Sequence, residues 1–270
     1  MPELPEVETT RLGLLPRLQG RQLREVNVRN ASLRWPIPED MAAALVGKTL
    51  RDLTRRGKYL LFDFGGATQI VHLGMSGSLR FAEVGETGGI HDHVDWRFDD
   101  GTLLRLRDPR RFGAVLWSTE PSQHPLLARL GPEPLSAQFD AAYLYRLSRN
   151  RNIAIKHLIM DGHVVVGVGN IYASEALFHA GIRPGTAAGK LSRPACVRLV
   201  SAIQRVLTAA IAAGGSSLRD YVHTSGELGY FQLHTQVYDR AGQACKACAT
   251  PIRRVVQGQR ASFYCPQCQR

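Results

Sequence analysis

The spacing of hydrophobic residues changes character along the chain and predicts an early helix followed by many short strands. Residues 3–16 place apolar side chains at roughly helical intervals, namely Leu4, Val7, Leu12 and Leu15. From about residue 22 to 118 the pattern changes to short strand-like runs that Gly-Gly, Asp-Gly and other turn pairs separate. The clearest runs are Arg24–Arg29, Lys58–Phe64, Thr68–His72 and Leu104–Arg107. The last run alternates strictly, as a half-buried strand does. This stretch is typical of a β-sandwich or barrel.

Helical periodicity returns after Pro132–Pro134. The clearest predicted helix starts near Ser192, a good N-cap, with Pro194 in its first turn and Gly214–Gly215 as its stop. Its apolar face comprises Cys196, Leu199, Val200, Ile203, Val206, Leu207, Ala210 and Ile211. The position of Cys196 on this face favours a small core residue over a reactive thiol. We expect a boundary near Pro132–Pro134 and three domains, 1–132, 133–235 and 236–270.

Charge narrows the function classes. Across 270 residues there are 34 Lys and Arg against 23 Asp and Glu, a net charge of +11. This balance favours a polyanionic partner, nucleic acid before membrane, although a merely basic soluble protein is equally compatible with charge alone. The acidic N-terminal segment lacks the apolar core of a secretory signal, and we expect no membrane-spanning run. We therefore expect a cytoplasmic protein.

Four of the five cysteines form two Cys-x-x-Cys pairs. Cys245 with Cys248 and Cys265 with Cys268 have the spacing of a tetrahedral zinc site with four thiolate ligands. Four cysteines fill the coordination sphere, so the predicted Zn²⁺, one ion, is structural and leaves no position for water. Redox-active pairs are the alternative, and an odd cysteine count argues against a disulfide framework.

The residues between the two pairs predict a hairpin. Pro251–Tyr264 contains two short strand-like runs around the turn Gln257-Gly258-Gln259. Arg260 follows this turn and would lie near the tip of the hairpin, where a charged side chain can enter a DNA groove. A solvated arginine is the simpler alternative.

Five segments together resemble the bacterial formamidopyrimidine-DNA glycosylase family. They are Pro2–Glu8, His72–Arg80, Asp108–Gly113, Val165–Glu175 and the C-terminal four-cysteine module. The resemblance runs from end to end and keeps the family's order. It implies an α+β fold with an N-terminal β-sandwich preceded by an early helix, a helix–two-turn–helix domain and a C-terminal zinc-ribbon hairpin. It also implies a bifunctional DNA glycosylase and abasic-site lyase of base excision repair that removes 8-oxoguanine and formamidopyrimidines.

The chemistry of this activity fits the first residues of the chain. Removal of Met1 would leave Pro2 as a free secondary amine, which on attacking C1′ of a damaged nucleotide forms an iminium with no neutral imine form. The persistent positive charge makes the intermediate an electron sink for proton loss at C2′ and strand cleavage. The resemblance makes Glu3 the general acid–base that assists opening of the sugar ring. Glu6 is expected to support the helix start.

The resemblance assigns further catalytic and phosphate-binding roles. Lys58, expected at the start of a strand, corresponds to the proton donor in β-elimination. Arg260 corresponds to the finger arginine that clamps a phosphate and acts in δ-elimination. Asn170, expected at a helix start after Gly167-Val168-Gly169, corresponds to a phosphate contact, and an N-cap is its other possible role.

DNA contacts follow from the need to rotate the damaged base out of the stack, which leaves a hole in the duplex. Met75, Arg110 and Phe112 match the family residues that fill it: the phenyl ring can wedge between bases, the thioether can fill an irregular gap and the guanidinium can bind the orphaned base. His91 and Arg151 match DNA-contacting positions. The basic residues Arg146, Arg149, Arg151 and Lys156 would bind phosphates.

Two alternatives remain at this point. An endonuclease VIII-type enzyme of the same superfamily would act on oxidised pyrimidines, and a DNA-binding protein without catalysis would use only the zinc ribbon and the basic surface. The expected partner is double-stranded DNA with oxidised purines or abasic sites, bound by a monomer in the bacterial cytoplasm at the nucleoid. The loop at residues 216–230 is the expected region of lesion recognition.

Overall fold

The computed structural model describes residues 2–83, 85–215 and 235–270. The chain forms two compact units, one from the residues up to Arg129 with Gly214 and Gly215, the other from Leu130–Ala213 and residues 235–270.

The mixed α+β class is confirmed. The helices are α1 (Leu4–Leu18), α2 (Met41–Leu45), α3 (Ala141–Ser148), α4 (Ile155–Met160), α5 (Asn170–Ala180) and α6 (Arg193–Ala212). The strands are β1 (Leu23–Val28), β2 (Asp52–Arg56), β3 (Tyr59–Asp63), β4 (Thr68–His72), β5 (Ser78–Ala82), β6 (Asp92–Phe98), β7 (Leu103–Arg107), β8 (Ala114–Ser118), β9 (Arg253–Gln257) and β10 (Arg260–Tyr264).

The first unit is the predicted β-sandwich. One antiparallel sheet has the order β1-β6-β7-β5 and the other β2-β3-β4-β8. Both sheets and α1 contribute to one hydrophobic core, in which Trp96 and Leu106 of one sheet join Phe62 and Val71 of the other. Alternation along the strands produces this core because successive side chains point to opposite faces of a sheet.

Helix α1 forms where the early helical spacing predicts it, but its buried face differs in part. Leu4, Val7, Leu14 and Leu18 are buried, whereas Leu12 is 48% exposed. The intervals between the four buried positions keep them on one face of a 3.6-residue helix, and Leu12 falls outside that face. Leu12 belongs to the early helical spacing but does not contribute to the core.

Strand β7 also departs from the sequence expectation. Strict alternation predicts that Arg105 faces solvent, yet its side chain is 1% exposed. The guanidinium donates to both carboxylate oxygens of Asp95, at 2.8 and 2.9 Å, and to the main-chain oxygen of Glu86 at 3.0 Å. The segment that follows β5 thus folds over this face of the sheet, and ion pairs with Asp95 and Glu86 compensate the burial of Arg105.

The second unit contains α3–α6 and the terminal hairpin. Helix α6 begins as predicted: the Ser192 side chain accepts from the Ala195 N–H, and Gly214 and Gly215 follow its C-cap with φ of +76° and +78°. Cys196 is fully buried on its apolar face, as expected of a core residue. Among the described helices α6 alone is long and apolar enough to cross a membrane, contrary to expectation, but half of its most apolar window is buried. Packing against α3 and α5 accounts for this composition.

Strands β9 and β10 form the predicted hairpin around Gly258 and Gln259. Both turn residues have positive φ, +51° and +64°, which matches the right-handed twist of the flanking strands. A small core of Val237, Ile252 and Phe263 with Cys245 and Cys265 lies under the hairpin.

Candidate functional site

Pro2 and Glu3 lie at the start of α1, where the helix begins at Leu4. Both side chains are buried, and Glu3, the N-cap, is 2% exposed. The Glu3 N–H donates to Oε2 of Glu6 at 2.8 Å, so Glu6 supports the helix start as predicted. Gly215 packs against Glu6, since a Cβ at that glycine would lie 3.1 Å from Oε1. The candidate nucleophile thus leads directly into an ordered helix terminus.

Lys58 lies in the two-residue turn Gly57–Lys58 between β2 and β3, directly before the strand that it was expected to open. His72, at the end of the neighbouring strand β4, pairs with Tyr59, and their rings lie 4.8 Å apart. Burial lowers the pKa of His72 to about 4, and the positive charges of Lys58 and Arg34 act in the same direction. His72 is therefore uncharged at neutral pH, and its Nδ1 accepts the Gly74 N–H at 3.0 Å.

Met75, Arg110 and Phe112 are exposed on two loops that touch each other. The Arg110 guanidinium lies 4.8 Å from the centre of the Phe112 ring, and Met75 and Phe112 are 38% and 42% exposed. Gly74 permits the loop contact, because a Cβ there would lie 2.4 Å from the carbonyl carbon of Phe112 and its φ is +64°. The structure thus places the predicted trio on one exposed ridge of the first unit.

Asp108 holds these two loops together, a role that sequence reasoning missed. Its carboxylate accepts from the Ser76 hydroxyl at 2.9 Å and from the Gly113 N–H at 2.8 Å, and the Ser76 oxygen accepts from the Arg110 N–H at 3.2 Å. Asp108 is fully buried. Its position before a proline, in a segment rich in arginine, was the available signal, since Asp commonly accepts main-chain N–H groups in turns.

His91 lies at the end of the segment that Arg105 binds. Its carbonyl accepts the Asp108 N–H at 2.9 Å, which attaches it to the same loop as Arg110. Ile90 beside it is 88% exposed. The backbone of His91 is thus held on a projecting part of the first unit.

Arg260 is exposed at the start of β10, next to the hairpin turn, as predicted. The following residue, Ala261, is bound from α4 and α5: its carbonyl accepts from Lys156 Nζ and from Asn170 Nδ2, both at 3.1 Å. Lys156 Nζ also donates to the Ser262 hydroxyl at 2.8 Å and is fully buried. The expectation that Lys156 binds phosphate is therefore wrong, because its ammonium group holds the hairpin.

We expect Lys156→Met to loosen the hairpin that carries Arg260. The substitution leaves the Ser262 hydroxyl without this donor and Ala261 with one donor fewer, which costs about 1–3 kcal/mol of unfolding free energy. Chemical denaturation and the rate of strand cleavage on abasic-site DNA would both report the change. Lys190→Met, which removes an exposed lysine of the same unit, is the control. Equal behaviour of the two variants would contradict this role of Lys156.

Asn170 is the first residue of α5, and Gly169 is its N-cap, so the N-cap role considered for Asn170 is wrong. The Oδ1 atom of Asn170 is buried and has no hydrogen-bond partner among the described residues. The hairpin uses one of the two N–H groups of its Nδ2, and the buried oxygen can accept only from a donor.

The other basic residues of the second unit divide into two kinds. Arg151 is exposed, as a phosphate contact requires. Arg149 instead donates to the Leu191 carbonyl at 2.6 Å and lies 4.0 Å from the centre of the Tyr145 ring. Arg146 lies 5.6 Å from the Tyr143 ring centre. Arg149 therefore has a structural role and departs from the expectation of a phosphate contact.

Glu175 is a second residue that the sequence reasoning missed. Its buried carboxylate accepts the N–H groups of Gln236, Val237 and Tyr238 at 2.7, 3.0 and 2.8 Å. Burial raises the pKa of Glu175, while the three donors act in the opposite direction. The carboxylate fixes the chain where it re-enters the second unit before the four-cysteine module. The loop expected to recognise the lesion, residues 216–230, and the expected processing of Met1 lie outside the described residues.

The four cysteines of the C-terminal module converge, and their Sγ atoms all lie within 4.8 Å of one another. Cys245 and Cys268 are 3.9 Å apart and Cys248 and Cys265 3.4 Å apart. Tetrahedral zinc with Zn–S bonds of about 2.3 Å requires sulfur atoms about 3.8 Å apart. The Cys268 N–H points to the Cys265 sulfur at 3.4 Å, which stabilises a thiolate. The donor set fits one structural zinc ion.

Three family models match the chain in succession. They describe the formamidopyrimidine-DNA glycosylase N-terminal domain at residues 1–115, the H2TH domain of the same enzymes at residues 130–222, and a zinc finger found in FPG and IleRS at residues 242–270.

Relatives and solved structures agree with these matches. The formamidopyrimidine-DNA glycosylase of Thiobacillus denitrificans is 73% identical over the full length of both chains, and that of Thioalkalivibrio sulfidiphilus is 58% identical over the full length. The MutM (Fpg) protein from Thermus thermophilus is 38% identical with a TM-score of 0.90, covering 99% of this chain and 98% of that one. A Lactococcus lactis Fpg mutant in complex with DNA containing Fapy-dG is 32% identical with a TM-score of 0.93 and full coverage of both chains.

Proposed function

Because the chain belongs to the formamidopyrimidine-DNA glycosylase family, we propose that it excises 8-oxoguanine and formamidopyrimidines from double-stranded DNA and cleaves the strand at the resulting abasic site. It is a DNA glycosylase and abasic-site lyase of base excision repair. The observation that carries the site assignment is the position of Pro2, immediately before the N-cap Glu3 of a buried, hydrogen-bonded helix start.

In the first step the Pro2 nitrogen, once Met1 is removed, bonds to C1′ of the damaged nucleotide. The glycosidic bond breaks, and its electron pair leaves with the base, which takes up a proton, while the Pro2 nitrogen loses its N–H proton and regains a lone pair. Glu3 donates a proton to the ring oxygen O4′, the C1′–O4′ bond breaks, and the nitrogen lone pair completes a C=N iminium. Pro2 is therefore the catalytic nucleophile and Glu3 the general acid.

Strand cleavage uses the positive charge of this iminium. A proton leaves C2′, and the electron pair of that C–H bond forms an enamine, which then expels the 3′-phosphate together with the electrons of the C3′–O bond. The Lys58 ammonium group is assigned as the proton donor of this β-elimination, and Arg260 as the corresponding donor in the δ-elimination that releases the 5′-phosphate. Lys58 is assigned to the 5′ side of the lesion and its phosphate, and Arg260 to the phosphate oxygen that gains charge as its bond to carbon breaks.

The exposed ridge of Met75, Arg110 and Phe112 supports the proposed insertion into the duplex. A ring, a thioether and a guanidinium on two linked loops can occupy the space that the rotated nucleotide leaves. His91, Arg151 and Asn170 are assigned to the DNA backbone, where they set the register of the enzyme; Asn170 would use the second N–H of its Nδ2, because phosphate oxygens only accept.

The zinc module has a structural role in this proposal. Cys245, Cys248, Cys265 and Cys268 hold one Zn²⁺, which supplies folding energy to the hairpin that bears Arg260. We assign catalysis to residues 1–132, DNA binding to 133–235 and the zinc finger to 236–270. The protein would act as a monomer in the bacterial cytoplasm, on nucleoid DNA.

Excision from two lesion duplexes tests the substrate class. We expect borohydride to trap a covalent adduct on an 8-oxoguanine duplex at least about 10-fold faster than on a thymine glycol duplex, because a pocket built for one polar base discriminates strongly against another. The undamaged duplex is the control. Faster trapping on thymine glycol would favour an endonuclease VIII-type enzyme, and no adduct on any duplex would favour a DNA-binding protein without catalysis.

A further inference from the structure

The turn that carries Lys58 is held from within its own hairpin. Strands β2 and β3 pair up to Arg56 and Tyr59, so only Gly57 and Lys58 connect them. Gly57 has a φ of +58°. Arg55 Nη1 donates to the carbonyl oxygen of Gly57 at 2.9 Å. Because this carbonyl belongs to the peptide bond that Gly57 forms with Lys58, Arg55 holds the backbone at the base of the Lys58 side chain.

Arg55 is in turn bound to the helix that follows Pro2. Its Nε donates to Oε2 of Glu8 on α1 at 2.9 Å, and the two side chains are only 12% and 17% exposed. Arg11 donates to the same carboxylate at 2.7 and 3.1 Å, and its Nη1 also reaches the Leu53 carbonyl in β2 at 3.3 Å. Glu8 is therefore held by two guanidinium groups, and each of them also binds the β2–β3 hairpin.

These interactions form a continuous link between two groups that must act on one sugar. It runs from the helix that begins beside Pro2, through Glu8 and Arg55, to the peptide bond of Lys58. Proton transfer requires donor and acceptor within about 2.6–3.2 Å, and a misplacement of about 1 Å can cost about 100-fold in rate. The Lys58 side chain is long and flexible, so the position of its backbone decides what its ammonium group can reach.

We propose that Glu8 and Arg55 are positioning residues for strand cleavage, and that their ion pair keeps Lys58 in register with the iminium on Pro2. This inference rests on the proposed function, because it assigns Lys58 to β-elimination. Arg55 binds Glu8 and the Gly57 carbonyl, which are groups of the protein itself. The two side chains therefore affect cleavage through the position of Lys58.

Two substitutions separate the parts of this link. Arg55→Lys keeps a positive charge for Glu8 but replaces the planar fork with one ammonium group, which cannot hold Glu8 and the Gly57 carbonyl in the same geometry. Glu8→Gln keeps the shape of the side chain and removes its charge. Arg97→Lys is the matched control, since Arg97 pairs with Glu25 at 3.3 Å on the other sheet and both side chains are about half exposed.

The measurement is a single-turnover reaction on an abasic-site duplex with saturating enzyme. We expect Arg55→Lys and Glu8→Gln to slow strand cleavage about 10-fold, while borohydride trapping of the Pro2 adduct stays within about twofold of wild type. Arg97→Lys should change neither rate. A merely structural role would instead slow trapping and cleavage in parallel, and that result would overturn the proposal.

A double-mutant cycle supplies the second criterion. In a Lys58→Met background, Arg55→Lys should slow the residual cleavage no further, because the group that it positions is already gone. Equal slowing with and without Lys58 would overturn the inference, as would unchanged cleavage in both variants. Thermal unfolding establishes whether each variant is folded. If one of Arg55→Lys and Glu8→Gln does not fold, the other is enough for the test. If the wild-type protein forms no adduct, the proposed function itself fails.

Discussion

Pro2→Gly should lower the rate of strand cleavage at an abasic site by about 100-fold or more and strongly reduce borohydride trapping. The glycine variant offers a primary amine, and its imine can lose a proton and become neutral, whereas the iminium formed by proline stays charged. Glycine also lacks the ring that fixes the direction of the lone pair ahead of α1. Trapping and cleavage under single-turnover conditions measure both effects.

Pro16→Ala is the matched control for this experiment, because Pro16 is an exposed proline of the same helix. Its cleavage rate should equal that of the wild type. Mass spectrometry of the reduced wild-type adduct should place the deoxyribose remnant on the nitrogen of residue 2. A remnant on a lysine, or full activity of Pro2→Gly, would refute the nucleophile assigned here.

Removal of zinc is the second change with a large expected effect. Cys248→Ser, or complete chelation, should lower the affinity for an abasic-site duplex about 10- to 100-fold, because zinc supplies about 10–16 kcal/mol of binding energy to small four-ligand modules. Without it, β9 and β10 lose the anchor of Cys265 and Cys268 next to β10. If Arg260 no longer binds its phosphate, the slope of log affinity against log salt concentration should also become shallower by about one.

Cys196→Ala is the control for the zinc experiment, since Cys196 is buried on α6 and is no member of the four-cysteine cluster. It should retain one zinc ion per chain and the affinity of the wild type. Elemental analysis gives the zinc content, and fluorescence anisotropy with labelled duplex gives the affinity. Undiminished affinity after complete zinc removal would show that the hairpin needs no metal to hold Arg260.

Local patterns in the sequence predicted elements that depend mainly on neighbouring residues. The cap at Ser192, the stop at Gly214–Gly215 and the turn at Gly258 all form as expected. Each is decided by backbone conformation and by hydrogen bonds within a few positions. The four-cysteine cluster was predictable for a similar reason, because two short pairs confine the geometry of four ligands.

The errors about buried cations arise from partners that other elements supply. Arg105 and Lys156 look like exposed cations in their local context, but Asp95 and the Ala261 carbonyl accept from them inside the fold. The separation between Lys156 and Ala261 exceeds one hundred residues. Hydrophobic periodicity indicates which face of a helix or strand is apolar. It does not indicate whether a carboxylate or a carbonyl of another element will contact a polar side chain.

By itself, the sequence determined the fold class, the four-cysteine cluster, the family and the identity of the candidate chemical groups, because these depend on residue types in fixed local spacing. Tertiary structure alone decided how those groups are held: Glu8 against Arg55, Asp108 between two loops, Lys156 and Asn170 on the hairpin. The physical reason is that a hydrogen bond requires its two atoms to approach within about 3 Å, and for residues far apart in the chain only the packed core sets that distance.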